Sequence, residues 1–180
     1  MPQVHFIGEI EEVQPAKSMD ALSVTFGVAP GNGAWFLQGG DVMGETHTSD
    51  MDEGRAVLNH PMDVHFTTSS SEGWPFFVCE VWERDSIQTH DRVFRGCGCA
   101  FLPTAAGKHV LELKLWRPCE LSGIPGFYDM VLPQNPNLKS LRELIVKPFV
   151  RSDVQTESCG VVRVTVNVLT RGFAEQGVIL

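Results

Sequence analysis

The stretch GWPFFVCEVWERDS, Gly73 to Ser86, decides how the rest of the chain is read. From Phe76 to Trp82 it is apolar at nearly every position, rich in aromatic and β-branched side chains. Such a run suits a central β-strand covered on both faces rather than one with a solvated side. It then runs straight into Glu83-Arg84-Asp85, and Asp91 follows six residues later, before the next apolar run. A strand that ends in a loop of acids poses a choice between a metal site and solvated surface.

Outward from that strand, period-two alternation dominates the chain. Val4, Phe6 and Ile10 share one face of a first strand, with His5, Glu9 and Glu11 opposite. Leu22, Val24, Phe26 and Val28 repeat the pattern, and Pro30-Gly31-Asn32-Gly33 after them reads as a hairpin turn using positive-φ glycines. Met62, Val64 and Phe66 alternate with Asp63, His65 and Thr67. Leu111, Leu113 and Leu115 make another face, and Val162 to Val168 a last one. With Trp35 to Leu37 and Phe94 to Phe101, these segments predict an all-β antiparallel sandwich of about eight strands.

The exception lies between about 118 and 159, which holds five of the eleven prolines and reads as an insertion. Within it NPNLKSLRELIVKPF predicts a short helix near 136–147, capped by Asn135 or Asn137 and ended by Pro148. The chain of 180 residues is read as one domain, 1–180, long enough to bury its own core.

Composition narrows the function. Hydrophobic residues make up 43% and charged residues 20%, as in ordinary globular proteins. The net charge of −8 argues against nucleic acid and against constitutive binding to anionic lipid. Nothing in MPQVHFIGEIEE resembles a signal peptide, and the five cysteines suit a reducing cytosol.

Catalytic signatures are missing: there is no G-x-S-x-G elbow and no Gly-rich phosphate loop. Ser86, His90 and Asp91 are close in sequence, whereas triads are assembled from distant segments. Cys97 and Cys99 lack the paired spacing of a zinc site and read as core thiols. His60 and His65 read as surface imidazoles. We therefore expect no enzyme, no small-molecule substrate and no cofactor.

The acids after Trp82 are the remaining candidates. Calcium needs six to eight oxygens converging from more than one loop. Asp20, Glu83, Asp85 and Asp91 are the set that could supply them. Against this, Glu83 is longer than the aspartate usual in such loops, and Arg84 sits between two of the acids. Solvated surface is the favoured reading, with calcium-dependent phospholipid binding as the alternative. Trp74, Trp116 and Arg117 are candidate partner anchors by residue type.

An ordered series of short motifs then brings a family into view. It runs from Val4-His5-Phe6-Ile7-Gly8-Glu9-Ile10 through Trp35 and Gly44-Glu45-Thr46 to His60-Pro61-Met62-Asp63-Val64-His65-Phe66. Gly73-Trp74-Pro75, Gly96-Cys97-Gly98, Trp116-Arg117-Pro118 and Arg171-Gly172-Phe173 continue it across nearly the whole chain. The chain resembles the B9-domain family, a divergent C2-like group associated with the ciliary transition zone. The resemblance implies a C2-like sandwich that has lost most calcium ligands. It also implies a non-enzymatic scaffold that hetero-assembles with other B9-domain proteins in the Meckel-syndrome complex at the basal body. Membrane association would be weak or indirect.

Overall fold

A computed structural model describes residues 1–84, 92–118 and 156–177. Ten strands follow in order: β1 Gln3–Pro15, β2 Ala21–Ala29, β3 Trp35–Gly40, β4 Met43–Glu45, β5 Ser49–Asp52, β6 Arg55–Thr68, β7 Phe76–Arg84, β8 Arg92–Phe101, β9 Gly107–Pro118 and β10 Thr156–Arg171. A single 3₁₀ turn, Ala174–Gln176, follows β10. The expected helix near 136–147 lies outside the described residues.

The strands form two antiparallel layers. One has the order β3-β6-β1-β10-β9, and the other has β8-β7-β2 with β4 and β5 against β2. The layers join at two seams. Only Cys97 and Trp116 pair between β8 and β9, while β5 gives two pairs to β2 and two to β6. The hydrogen-bonded path thus runs right round eight strands, and the sandwich is also a flattened barrel.

Alternation places the core where the periodicity predicts it. Val4, Phe6 and Ile10 of β1 meet Val64 and Phe66 of β6, Phe77 and Val81 of β7, and Val162, Val164, Val166 and Val168 of β10. A bulge between Ile10 and Glu12 slips the β1 pattern by one residue, so Val13 still points inward. The acidic continuation of β1 has a clear use. Glu12 is buried between Arg55 at 3.3 Å and Arg163 at 3.4 Å, and Glu11 accepts the Thr165 hydroxyl.

β7 is buried along almost its whole length, as its composition predicts. Phe77, Cys79 and Val81 enter the main core. Phe76 and Val78 join a second cluster with Ala29, against which Cys99 packs. Glu80, on that second face, is only 2% exposed.

Two turns differ from expectation. Pro30 to Gly33 does not close a hairpin, because β2 and β3 lie in opposite layers and β3 pairs with β6. Gly31 is there for space: its N–H donates to the Gly73 carbonyl at 2.9 Å, and a Cβ on it would crowd Gly73. The true tight hairpin joins β5 to β6 through Glu53 and Gly54, both at positive φ (47° and 82°), with Asp52 opposite Arg55. Two left-handed central residues are what a two-residue turn requires.

Candidate functional site

Three of the nominated charged residues, Asp20, Glu83 and Arg117, gather at one end of the sandwich with Lys17, Arg95 and Glu157. β7 delivers Glu83 there, the β1–β2 connection delivers Lys17 and Asp20, β8 delivers Arg95, β9 Arg117 and β10 Glu157. Most of these side chains line a recess of about 190 Å³.

Glu83 is the buried centre of this group. One carboxylate oxygen accepts the Asp20 backbone N–H at 2.8 Å. The other accepts the Arg95 Nε–H at 2.6 Å and forms a close ion pair with Nη2 of the same residue. Both oxygens are thus engaged, and the positive charge beside them belongs to the protein. A cation approaching Glu83 would have to displace a guanidinium held by a hydrogen bond and an ion pair.

The bulge explains how Arg95 gets there. Val81 pairs with Gly96 and Trp82 with Phe94, so Arg95 is the extra residue in the β7–β8 ladder. Arg84, which the sequence sets between the acids, instead reaches Asp50 on β5 at 3.3 Å. The neutralising residue is Arg95, and no local signal in the sequence ties it to Glu83.

A second pair closes the same end. The Arg117 Nε–H donates to Glu157 at 2.5 Å, directly across the β9–β10 ladder. That guanidinium holds the Glu157 carboxyl below the usual carboxylate range, with Lys17 adding a smaller push. Three basic and three acidic residues therefore meet here, with Glu83 paired to Arg95 and Glu157 to Arg117. Of the four calcium candidates, the structure brings Asp20 and Glu83 together; Asp85 and Asp91 lie outside the described residues, as do Ser86, His90 and Cys119. Among the described residues, no group of three His, Cys, Asp or Glu side chains is arranged to hold a metal.

The candidate anchors do not converge. Trp116 and Arg117 end β9 beside the recess, whereas Trp74 precedes β7 at the other end of that strand. Trp74 is half-buried, 5.1 Å from Trp35 edge-on and close to Phe6 and Phe173. It packs against the main core, as the Trp35 indole also does. Gly96 and Gly98 let β8 approach its neighbours: a Cβ on Gly98 would lie 3.2 Å from the Lys114 carbonyl, and one on Gly96 would meet Cys159. Cys97, between them, is fully buried, and burial pushes its thiol and that of Cys79 far up. Those thiols are inert core groups.

A family model described as "Ciliary basal body-associated, B9 protein" matches residues 4–169. B9 domain-containing protein 2 of Xenopus laevis is 31% identical over 99% of this chain and 98% of its own. The protein of the same name from Danio rerio is also 31% identical, over 99% of each. B9 domain-containing protein 1 of Xenopus laevis is 26% identical over 72% of this chain and 65% of its own. Among solved structures, a C2 domain of plant Extended Synaptotagmin 1 is similar with a TM-score of 0.44 and 10% identity, covering 95% of each chain.

Proposed function

The chain belongs to the B9 family of ciliary basal body-associated proteins, and from that premise we propose that it is a scaffold of the ciliary transition zone. On this reading it is non-enzymatic, needs no cofactor, and works by binding sister B9-domain proteins in the Meckel-syndrome complex that gates ciliary protein entry. The observation that carries the reading is the occupied carboxylate of Glu83. On this reading the carboxylate that a calcium-dependent module would offer to an ion is held by Arg95 of the chain itself. Trp116 and Arg117, at the same end, are the proposed partner contacts, and the half-buried Trp74 a secondary one.

Co-expression with B9 domain-containing protein 1, followed by size exclusion, tests the reading. Co-elution at a defined ratio is expected. A chain that stays monomeric while its sister is folded and soluble would overturn it. The second reading, a calcium-dependent phospholipid module using Asp20, Glu83, Asp85 and Asp91, draws its support from the contact between Asp20 and Glu83. It requires Arg95 to leave, and predicts vesicle binding that appears only with calcium.

A further inference from the structure

One lateral opening of the sandwich has the features of a binding groove. β3 and β4 are joined by Asp41 and Val42, and this short bend crosses from the edge of one layer to the edge of the other. The Asp41 N–H donates to the Asp63 carbonyl of β6, and the Val28 N–H of β2 donates to the Val42 carbonyl. Between the bend and β6 lies a groove of about 450 Å³.

Two glycines keep it open. Gly40 stands at φ 84°, and a Cβ there would lie 2.0 Å from the Asp63 carbonyl oxygen. A Cβ on Gly44 would lie 2.7 Å from the Phe26 ring. Phe26, only 3% exposed, closes the bottom of the groove, stacked on Phe77 with His60 edge-on at 5.3 Å. Met43 projects from the wall and is 53% exposed. A few residues away on the same edge, Phe36 is 50% exposed. Large apolar side chains this exposed are unusual on one short segment.

The rim is acidic. Asp41, Glu45 and Asp63 line it. Glu45 is paired with Arg92, and the Asp63 carboxylate accepts the His5 Nε2–H at 2.6 Å. Asp41 is exposed and has no ion-pair partner among the described residues. An apolar floor under a carboxylate rim suits a ligand that is apolar and cationic, and it repels phosphates.

We infer that this groove receives an extended segment of a partner protein in which a Lys or Arg stands beside a large apolar side chain. The apolar side chain lies against the exposed Met43, and the cation meets Asp41. The inference rests on the partner-binding reading above and adds the surface and its chemistry. A chain of net charge −8 gains diffusional steering from such a partner, but the groove demands more than bulk attraction.

The test uses the full chain and a fluorescein-labelled 12-residue peptide carrying Lys and Leu among Ser and Gly, with a Glu-for-Lys counterpart. Fluorescence anisotropy should show saturable binding of the Lys peptide at least about tenfold tighter than the Glu peptide. The double change Asp41→Lys with Met43→Glu should weaken it about tenfold, whereas Glu175→Lys, remote on the exposed 3₁₀ turn, should change it less than about twofold. Asp41→Asn alone, which removes one charge at an exposed site, should weaken it about threefold, and melting confirms that each variant folds. Equal weakening by the groove and Glu175 changes would reduce the effect to net charge and overturn the inference, as would absence of Lys-peptide binding. Peptide failure with continued co-elution of the sister B9 protein refutes the groove alone. Failure of co-elution refutes the functional reading itself.

Discussion

Glu80 and Glu83 lie three residues apart on one strand, both buried, and the fold accommodates them in opposite ways. Glu83 faces the charged end, where Arg95 and the Asp20 N–H occupy both oxygens. Glu80 faces the second apolar cluster, and one of its oxygens has no hydrogen-bond partner. Burial, the larger influence, pushes the Glu80 carboxyl up to about 7 despite the Trp82 indole and the Arg92 charge. A buried carboxylate is tolerated either by pairing or by keeping its proton. The pair makes a fixed structural element; the lone acid makes a pH-dependent one.

The largest effect should come from breaking the pair. Arg95→Ala leaves Glu83 buried without its cation and should cost about 2 kcal/mol, since the arginine is itself partly exposed. For a chain of this size that lowers the melting midpoint by roughly 4–8 °C. Adding Glu83→Gln should restore much of the loss, as removing both charges relieves the penalty. An unchanged midpoint in Arg95→Ala would mean that the pair contributes nothing.

Glu80 sharpens the other side of the comparison. Its folded value of about 7 stands above the ordinary 4.5, so the folded state binds more protons between those values. Its contribution is fully present below pH 4.5 and is lost as pH rises through 7. Glu80→Gln should flatten that part of the slope and raise the midpoint at pH 8 by about 2–4 °C, roughly 1 kcal/mol. Melts of both proteins at pH 5 and pH 8 isolate the effect, and parallel slopes would contradict it.

The smallest thermal effect belongs to Arg117. Its pair with Glu157 is short but solvent-facing, and Arg117→Ala should shift the midpoint by less than about 2 °C. If Arg117 contacts the sister protein, co-elution should weaken without loss of stability. Intact co-elution would remove Arg117 from the proposed contact set.

What can be read from the sequence follows from how local each feature is. β1, β2, β6 and β10 carry their core face as plain alternation, and β7 announces its double burial by composition. β5 gives no such signal because Ser49–Asp52 is polar, and its turn puts Glu53, not Asn or Asp, in the left-handed region. At the charged end Glu83 is legible as an acid after a strand. Its partner is not, because Arg95 reaches it through a one-residue bulge that no local pattern encodes. Trp74 suggests an anchor by residue type alone, and the fold sets it, half-buried, beside Trp35, Phe6 and Phe173. Nothing in the local sequence shows why Gly40 and Gly44 are glycines; the reason lies in β6 and the Phe26 ring placed beside them.

The occupied carboxylate of Glu83 is tested most directly by melting the wild-type chain with millimolar calcium, with magnesium and with chelator. The account predicts the same midpoint, within about 1 °C, in all three, because Arg95 already holds the carboxylate. A calcium-specific rise of roughly 5–11 °C, the effect of about 2.7 kcal/mol from a site at 100 times its Kd, would contradict it. The end of β7 would then be a metal site, and calcium-dependent lipid binding would replace the scaffold reading.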